Sequence, residues 1–145
     1  MFKTPSRIML VDDEEDFLEM LGLRLKEIGE DVVTTTSGEA CLKALEQADA
    51  DVIILDVKMP GMDGIETLQE IKRRHPLVEV IMLTGHGTIE SAVQGMKLGA
   101  FDYLLKPAPF DELTHKLDEA RRRKREQLER IRKAEAAMLL RSAKI

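Results

Sequence analysis

Five short apolar runs punctuate this chain: Ile8–Val11, Val32–Thr35, Val52–Leu55, Val80–Leu83 and Phe101–Leu105. Between them lie segments whose apolar residues recur at three- and four-residue steps, the spacing of one helix face. Phe17, Leu21, Leu25 and Ile28 form one such stripe behind an acidic first turn, which suits a helix N-terminus. Cys41, Ala44, Leu45 and Ala48 form a second behind Ser37, a plausible N-cap. Ile65, Leu68 and Ile71 make a third; Ile89, Ala92, Val93 and Met96 make a fourth, with Gly99 as its stop. From about Pro109 onwards no Gly or Pro occurs, and one last helix is expected.

Strands alternating with helices of this length demand a parallel sheet covered on both faces. Runs one, three and four are apolar at every position, as doubly buried strands are. Run two thins into Thr34, Thr35 and Thr36, and run five is broken by Asp102, so these belong at the edges. The expected fold is therefore α/β: a flavodoxin-like, doubly wound, five-stranded parallel sheet of order 2-1-3-4-5, with an extended C-terminal helix.

In such a sheet ligands bind beyond the carboxyl ends of the strands, where the strand order reverses. Strand one runs into Asp12 and Asp13, strand three into Asp56, strand four into Thr84 and strand five into Lys106. Three carboxylates gathered there repel one another, and a hard divalent cation such as Mg²⁺ removes that cost. Asp56 is then placed as a nucleophile that forms an aspartyl phosphate. Lys106 and the metal neutralise the phosphoryl oxygens, and the Thr84 hydroxyl donates to one of them.

Composition narrows the class. No apolar run approaches the ~20 residues that cross a bilayer. The opening MFKTPSRIMLVDD is too short in its apolar part for a signal peptide. Cys41 is the only cysteine, which excludes an intrachain disulfide and a thiolate metal cluster. A cytoplasmic protein with no membrane contact is expected. Charge is uneven: residues 1–110 hold 20 acids and 11 bases, residues 111–145 hold 7 acids and 11 bases. With five aromatic residues in all, a base-stacking platform is not expected.

The stretches "LVDDEEDF", "VIILDVKMPGMDGIE" and "VIMLTGHGTIESAVQGMKLGAFDYLLKP" resemble, in order and spacing, the receiver domain of two-component response regulators. The resemblance runs from about residue 6 to residue 118. It implies that Asp56 takes a phosphoryl group from a phosphohistidine on a sensor histidine kinase or phosphotransfer protein. It implies that Asp13, Asp56 and the Lys58 backbone carbonyl ligate Mg²⁺, with Asp12 acting through water. Thr84 and Tyr103 would be the switch pair, and the Lys106–Pro107 bond would be cis. The chain departs from the usual pattern where Ala108 and Pro109 precede Phe110, which is expected to fill the aromatic position from a shifted place. Lys58 and His86 sit where the family tunes phosphate lifetime. The Gly85–Lys106 stretch is most similar to receivers of enhancer-type transcriptional activators.

The bland readings are set beside these. Asp12 and Asp13 can cap a helix, Tyr103 can be a half-buried core aromatic, and His75 reads as a helix-end cap. His115 and Cys41 read as structural, and Met59 and Met62 as local packing. "GHGTIE" is half a dinucleotide fingerprint and carries no weight. An alternative function is a haloacid-dehalogenase-type phosphatase, but those place a second Asp two residues after the nucleophile, where Lys58 stands. The signalling role is not that of an enzyme beyond assisting its own phosphorylation and autodephosphorylation.

Residues 1–120 are expected to be the receiver domain and 121–145 a basic helical extension, either a dimerisation helix or a linker. Its run "RRRKREQLERIRK" has no recognition module beside it, so it reads as a solvated face and no direct nucleic-acid binding is expected. Leu128, Ile131 and Met138 recur as a helix–helix seam would require, and a homodimer through the tail is expected. The chain is either stand-alone or the receiver fragment of a longer DNA-binding regulator.

Overall fold

The computed structural model describes residues 7–143; the first six residues of the N-terminal stretch and the last two of the tail lie outside it. Five strands and five helices alternate: β1 (Arg7–Val11), α1 (Glu15–Glu27), β2 (Asp31–Thr35), α2 (Gly38–Gln47), β3 (Val52–Leu55), α3 (Gly64–Arg74), β4 (Glu79–Thr84), α4 (Ile89–Lys97), β5 (Asp102–Leu105) and α5 (Phe110–Ala143). Every pairing is parallel, in the order β2-β1-β3-β4-β5. The two strands weakened by Thr34–Thr35 and Asp102 are indeed the edges.

The sheet separates two cores. On one side Met9, Val11, Ile53, Leu55, Val80 and Met82 pack against α2 and α3. On the other Ile8, Leu10, Val52, Ile54, Ile81 and Leu83 pack against α1 and the first three turns of α5. Alternate residues of β1, β3 and β4 serve opposite cores, which is why those runs tolerate no polar interruption.

Local signals behave as the chain suggests. Ser37 Oγ accepts from the Ala40 N–H at the start of α2, Asp63 from the Glu66 N–H at the start of α3, and Gly99 leaves α4 at φ +102°. His75 is the residue that ends α3. Met59 is buried and Met62 packs against the same core.

Three expectations need correction. In α1 the buried face is Leu18, Leu21, Gly22 and Leu25, while Ile28 falls at the helix end and is exposed. The α4 stripe faces outward: Ile89 is 85% exposed, with Val93 and Met96 about half so, and the only buried residue of the helix is Gly95. Without a Cβ, Gly95 sits closely over Tyr103, Ile65 and Met82, so α4 rests on its least bulky side. The basic run is not a solvated face either. Arg121 Nη1 lies 2.6 Å from Glu30 Oε2, Arg123 Nε 2.8 Å from Glu79 Oε2, and Lys124 Nζ 2.8 Å from Asp51 Oδ1. The helix needs these bases to close over acids at the amino end of the sheet.

Candidate functional site

The ends of the strands place the site. The Asp56 N–H donates to Val11 O at 2.9 Å and the Lys106 N–H to Thr84 O at 2.8 Å, each continuing a parallel ladder by one bond. The Asp12 N–H likewise donates to Thr35 O at 3.2 Å. Asp12, Asp56 and Lys106 are thus delivered at the carboxyl edge by backbone pairing before any side-chain interaction is counted.

Behind Asp56 the chain must turn sharply. Gly61 has φ +74°, a left-handed conformation that glycine adopts without strain. A Cβ on Gly64 would run into the Asp56 carbonyl, so α3 can begin this close only with glycine there. The Pro-Gly break after Asp56 therefore returns α3 under the acid and holds it at the rim.

One carboxylate oxygen from each of Asp12, Asp13 and Asp56 lies within 4.8 Å of the others. Asp12 and Asp56 are 2% exposed, whereas Asp13 is open to solvent. The Lys106 ammonium donates to Asp12 Oδ2 at 2.6 Å and lies 3.9 Å from the centre of the Phe17 ring. Asp12 Oδ1 accepts from the Glu14 N–H at 2.9 Å, so this acid caps the start of α1 as well. Burial pushes the Asp12 carboxyl above its usual range and the Asp56 charge adds to this, despite the Lys106 bond. Burial draws the Lys106 ammonium down, but the bond to Asp12 and the charges of Asp12, Asp56 and Glu14 outweigh it and hold the ammonium above its ordinary pKa.

Two buried acids and a third at the rim therefore face a single ammonium. That imbalance, with oxygen donors only, fits a hard divalent cation. Asp13, Asp56 and Lys58 line an open cleft of about 520 Å³, together with Glu14, Met59, Pro60 and His86.

Thr84 is buried behind the cleft, where its Oγ1 accepts from the His86 N–H at 3.0 Å. Tyr103 is half-buried, and its hydroxyl is 2.6 Å from Ser91 Oγ on α4. Ser91 is the residue that sequence reasoning passed over. It closes a capping box with Thr88, a Thr-x-x-Ser spacing visible in the chain. A Cβ on Gly87 would press on Leu105 and Tyr103, so the β4–α4 loop lies against the tyrosine. The Lys106–Pro107 peptide is cis, as the resemblance implies. Phe110 is half-buried on the α1 side, with the Arg24 guanidinium 4.0 Å from its ring centre. Cys41 is fully buried, and burial pushes its thiol up to about 12. His115 lies on the exposed side of α5 against Glu119.

The chain matches the family model described as the response regulator receiver domain over residues 8–118. It is 40% identical over 120 residues to the transcriptional regulatory protein GlrR of Escherichia coli, covering 83% of this chain and 27% of that protein. It is 40% identical over 111 residues to the DNA-binding transcriptional regulator NtrC of Klebsiella pneumoniae, covering 77% of this chain and 24% of that protein. The chain thus spans about a quarter of the length of these relatives. Among solved structures, a response regulator receiver domain protein from Clostridium thermocellum superposes with a TM-score of 0.79 at 37% identity, covering 83% of this chain and 97% of that one. NtrX from Brucella abortus superposes with a TM-score of 0.80 at 31% identity, covering 87% of this chain and 29% of that one. Sheet order, the acids gathered at the strand ends and these matches agree, and the chain belongs to the response regulator receiver domain family.

Proposed function

We propose that Asp56 is the phosphoryl acceptor of this signalling module. The observation that carries the reading is Asp56 itself, a buried carboxylate at the floor of an open cleft, beside a second buried acid already tied to Lys106. A phosphoryl group leaves a histidine nitrogen of a partner kinase or phosphotransfer protein, and a P–O bond forms on the Asp56 carboxylate. Mg²⁺, held by Asp13, Asp56 and the Lys58 carbonyl with Asp12 beside it, neutralises phosphoryl charge when bound. Lys106 already sits at the rim as the fixed cation for the same oxygens. Thr84 uses a lone pair for His86, so its hydroxyl proton is available to a phosphoryl oxygen.

Movement of Thr84 toward that oxygen would free space behind it. Tyr103 is the side chain placed to respond, since its hydroxyl holds α4 through Ser91. A ligand biases a conformational equilibrium only through contacts made in one state, and the Thr84–phosphoryl contact is of that kind. Thr84→Ala is expected to accept phosphate yet lose much of the change in amide exchange across residues 84–110. Lys58 occupies the place of a phosphatase's second Asp, so no turnover of an external phosphoester is expected.

The deciding experiment is intact-mass measurement after treatment with a small phosphodonor and Mg²⁺. One added phosphoryl group is expected on the native chain and none on Asp56→Asn; undiminished labelling of the variant would sink the assignment. We also read the part of α5 beyond the body as a self-association element. The stripe Leu128, Ile131 and Met138 supports this, and so does the start of α5 four residues after Lys106, which ties helix packing to the site. Light scattering on the full chain and on one ending at residue 120 tests that reading. No helix among the described residues is long and apolar enough to cross a membrane.

A further inference from the structure

The direction in which α5 presents its apolar stripe constrains how two copies can pair. At 3.6 residues per turn, Leu128, Ile131 and Met138 fall on the same side of α5 as Leu113, Leu117 and Ala120. Those last three are buried against the sheet. Lys124, on that side too, donates to Asp51 Oδ1 at 2.8 Å and to Ala50 O at 3.3 Å. With Arg121 on Glu30 and Arg123 on Glu79, it holds α5 to the body as far as residue 124. Beyond that the stripe continues without cover: Ile131 is 42% exposed and Met138 66%. The free stripe therefore looks out beneath the helix's own body.

This excludes the parallel pairing that a heptad seam usually suggests. Paired helices lie about 8–10 Å apart. A parallel partner at that distance on the stripe side, followed back past residue 125, would occupy the space of β3 and β4. The helix cannot splay to avoid this, because it runs unbroken from Phe110 to Ala143 with no Gly or Pro at which to kink. An antiparallel partner meets no such obstacle, since its body lies beyond the other helix's C-terminal end.

Charge points the same way. Residues 121–133 carry 8 bases and 2 acids, whereas residues 134–143 carry one of each. Parallel pairing stacks the basic halves on one another. Antiparallel pairing sets each basic half against the nearly neutral half of its partner. With the two-fold axis between Ala134 and Glu135, Ile131 faces the partner's Met138, and Arg130, Arg132 and Lys133 face alanines and Leu139. The shared length, residues 127–142, is about 24 Å at ~1.5 Å per residue.

We propose that the free half of α5 docks a second copy of this chain antiparallel, with Ile131 against the partner's Met138. The proposal rests on the self-association reading and adds its direction. It does not depend on Asp56 accepting phosphate.

Single-cysteine exchange on the full chain tests it. Ile131→Cys and Met138→Cys are made separately; both positions are exposed, so neither substitution threatens the fold. Cys41 stays, because it is fully buried and silent toward oxidants. Each chain alone and an equal mixture are oxidised, and the products are identified by intact mass, which distinguishes the two chains. In the mixture, 131–138 disulfides are expected at least ten-fold above 131–131 or 138–138, with dimer mass by light scattering before oxidation. Self-crosslinking of each variant would show parallel pairing and overturn the proposal. A dimer with no crosslink would place the interface on another surface, such as the exposed side of α4, and overturn it too. A monomer at all concentrations would overturn both the direction and the self-association reading.

Discussion

The two ends of the sheet gather similar residues and treat them oppositely. At the amino end, Glu30, Asp51 and Glu79 meet Arg121, Lys124, Arg123 and Lys72. At the carboxyl end, Asp12, Asp13 and Asp56 meet Lys106 alone. Glu79 is as buried as any acid at the site, yet Lys72 Nζ reaches it at 3.4 Å while also donating to Val78 O and Pro76 O. Arg123 approaches its second oxygen at 2.8 Å without hydrogen-bond alignment, so that contact is chiefly Coulombic. A charge matched by fixed partners is structural. A charge left in excess is a site, because its compensation must come from something that binds.

The largest effect expected from this contrast is at Asp56. Asp56→Asn removes labelling by a small phosphodonor entirely, and chelation of Mg²⁺ or Asp13→Ala slows labelling of the native chain by about 10²-fold or more. Stopped-flow or mass-resolved time courses measure both. Labelling that ignores chelation would remove the metal from the carboxyl end and with it the contrast.

Metal should also act on stability, and only at one end. At ~100 times its dissociation constant, Mg²⁺ is expected to stabilise the fold by about 2.7 kcal/mol, read from urea denaturation. At the other end, Lys72→Met should cost about 2–3 kcal/mol, less than the ~3–5 of a fully buried pair because Arg123 still faces Glu79. That loss should be the same with and without Mg²⁺.

The sharper test is one of sign. In metal-free buffer Asp56→Asn should stabilise the fold by about 0.5–1 kcal/mol, since it relieves the repulsion that helps to raise Asp12. Removing a charge at the amino end destabilises; removing one at the carboxyl end does the reverse. Equal signs would show that both ends are structural. The smallest effect belongs to Arg7→Ala, whose side chain pairs with Asp31 at the exposed edge of the sheet and should contribute under ~0.5 kcal/mol.

Much of this was legible in the chain itself. Strand order followed from Thr34–Thr35 and Asp102 marking the edge strands, because burial on both faces forbids polar residues in β1, β3 and β4. The candidate residues at the carboxyl edge followed from topology, since a parallel sheet brings every strand's last residue to one rim. What local pattern cannot encode is which partner a side chain meets. Lys106 reaches Asp12 across 94 residues and Lys124 reaches Asp51 across 73, and no periodicity reports such distances. The α4 stripe has good helical spacing, yet it faces water because Gly95 lets the helix sit down on Tyr103 instead. The basic run reads as solvated from composition and is instead spent on Glu30, Glu79 and Asp51. The amino-acid sequence determined the elements, their order and the rim where acids converge, because these depend on burial and chain direction. The tertiary structure alone decided which charges are neutralised and which are left in excess, because that depends on which distant segments are packed together.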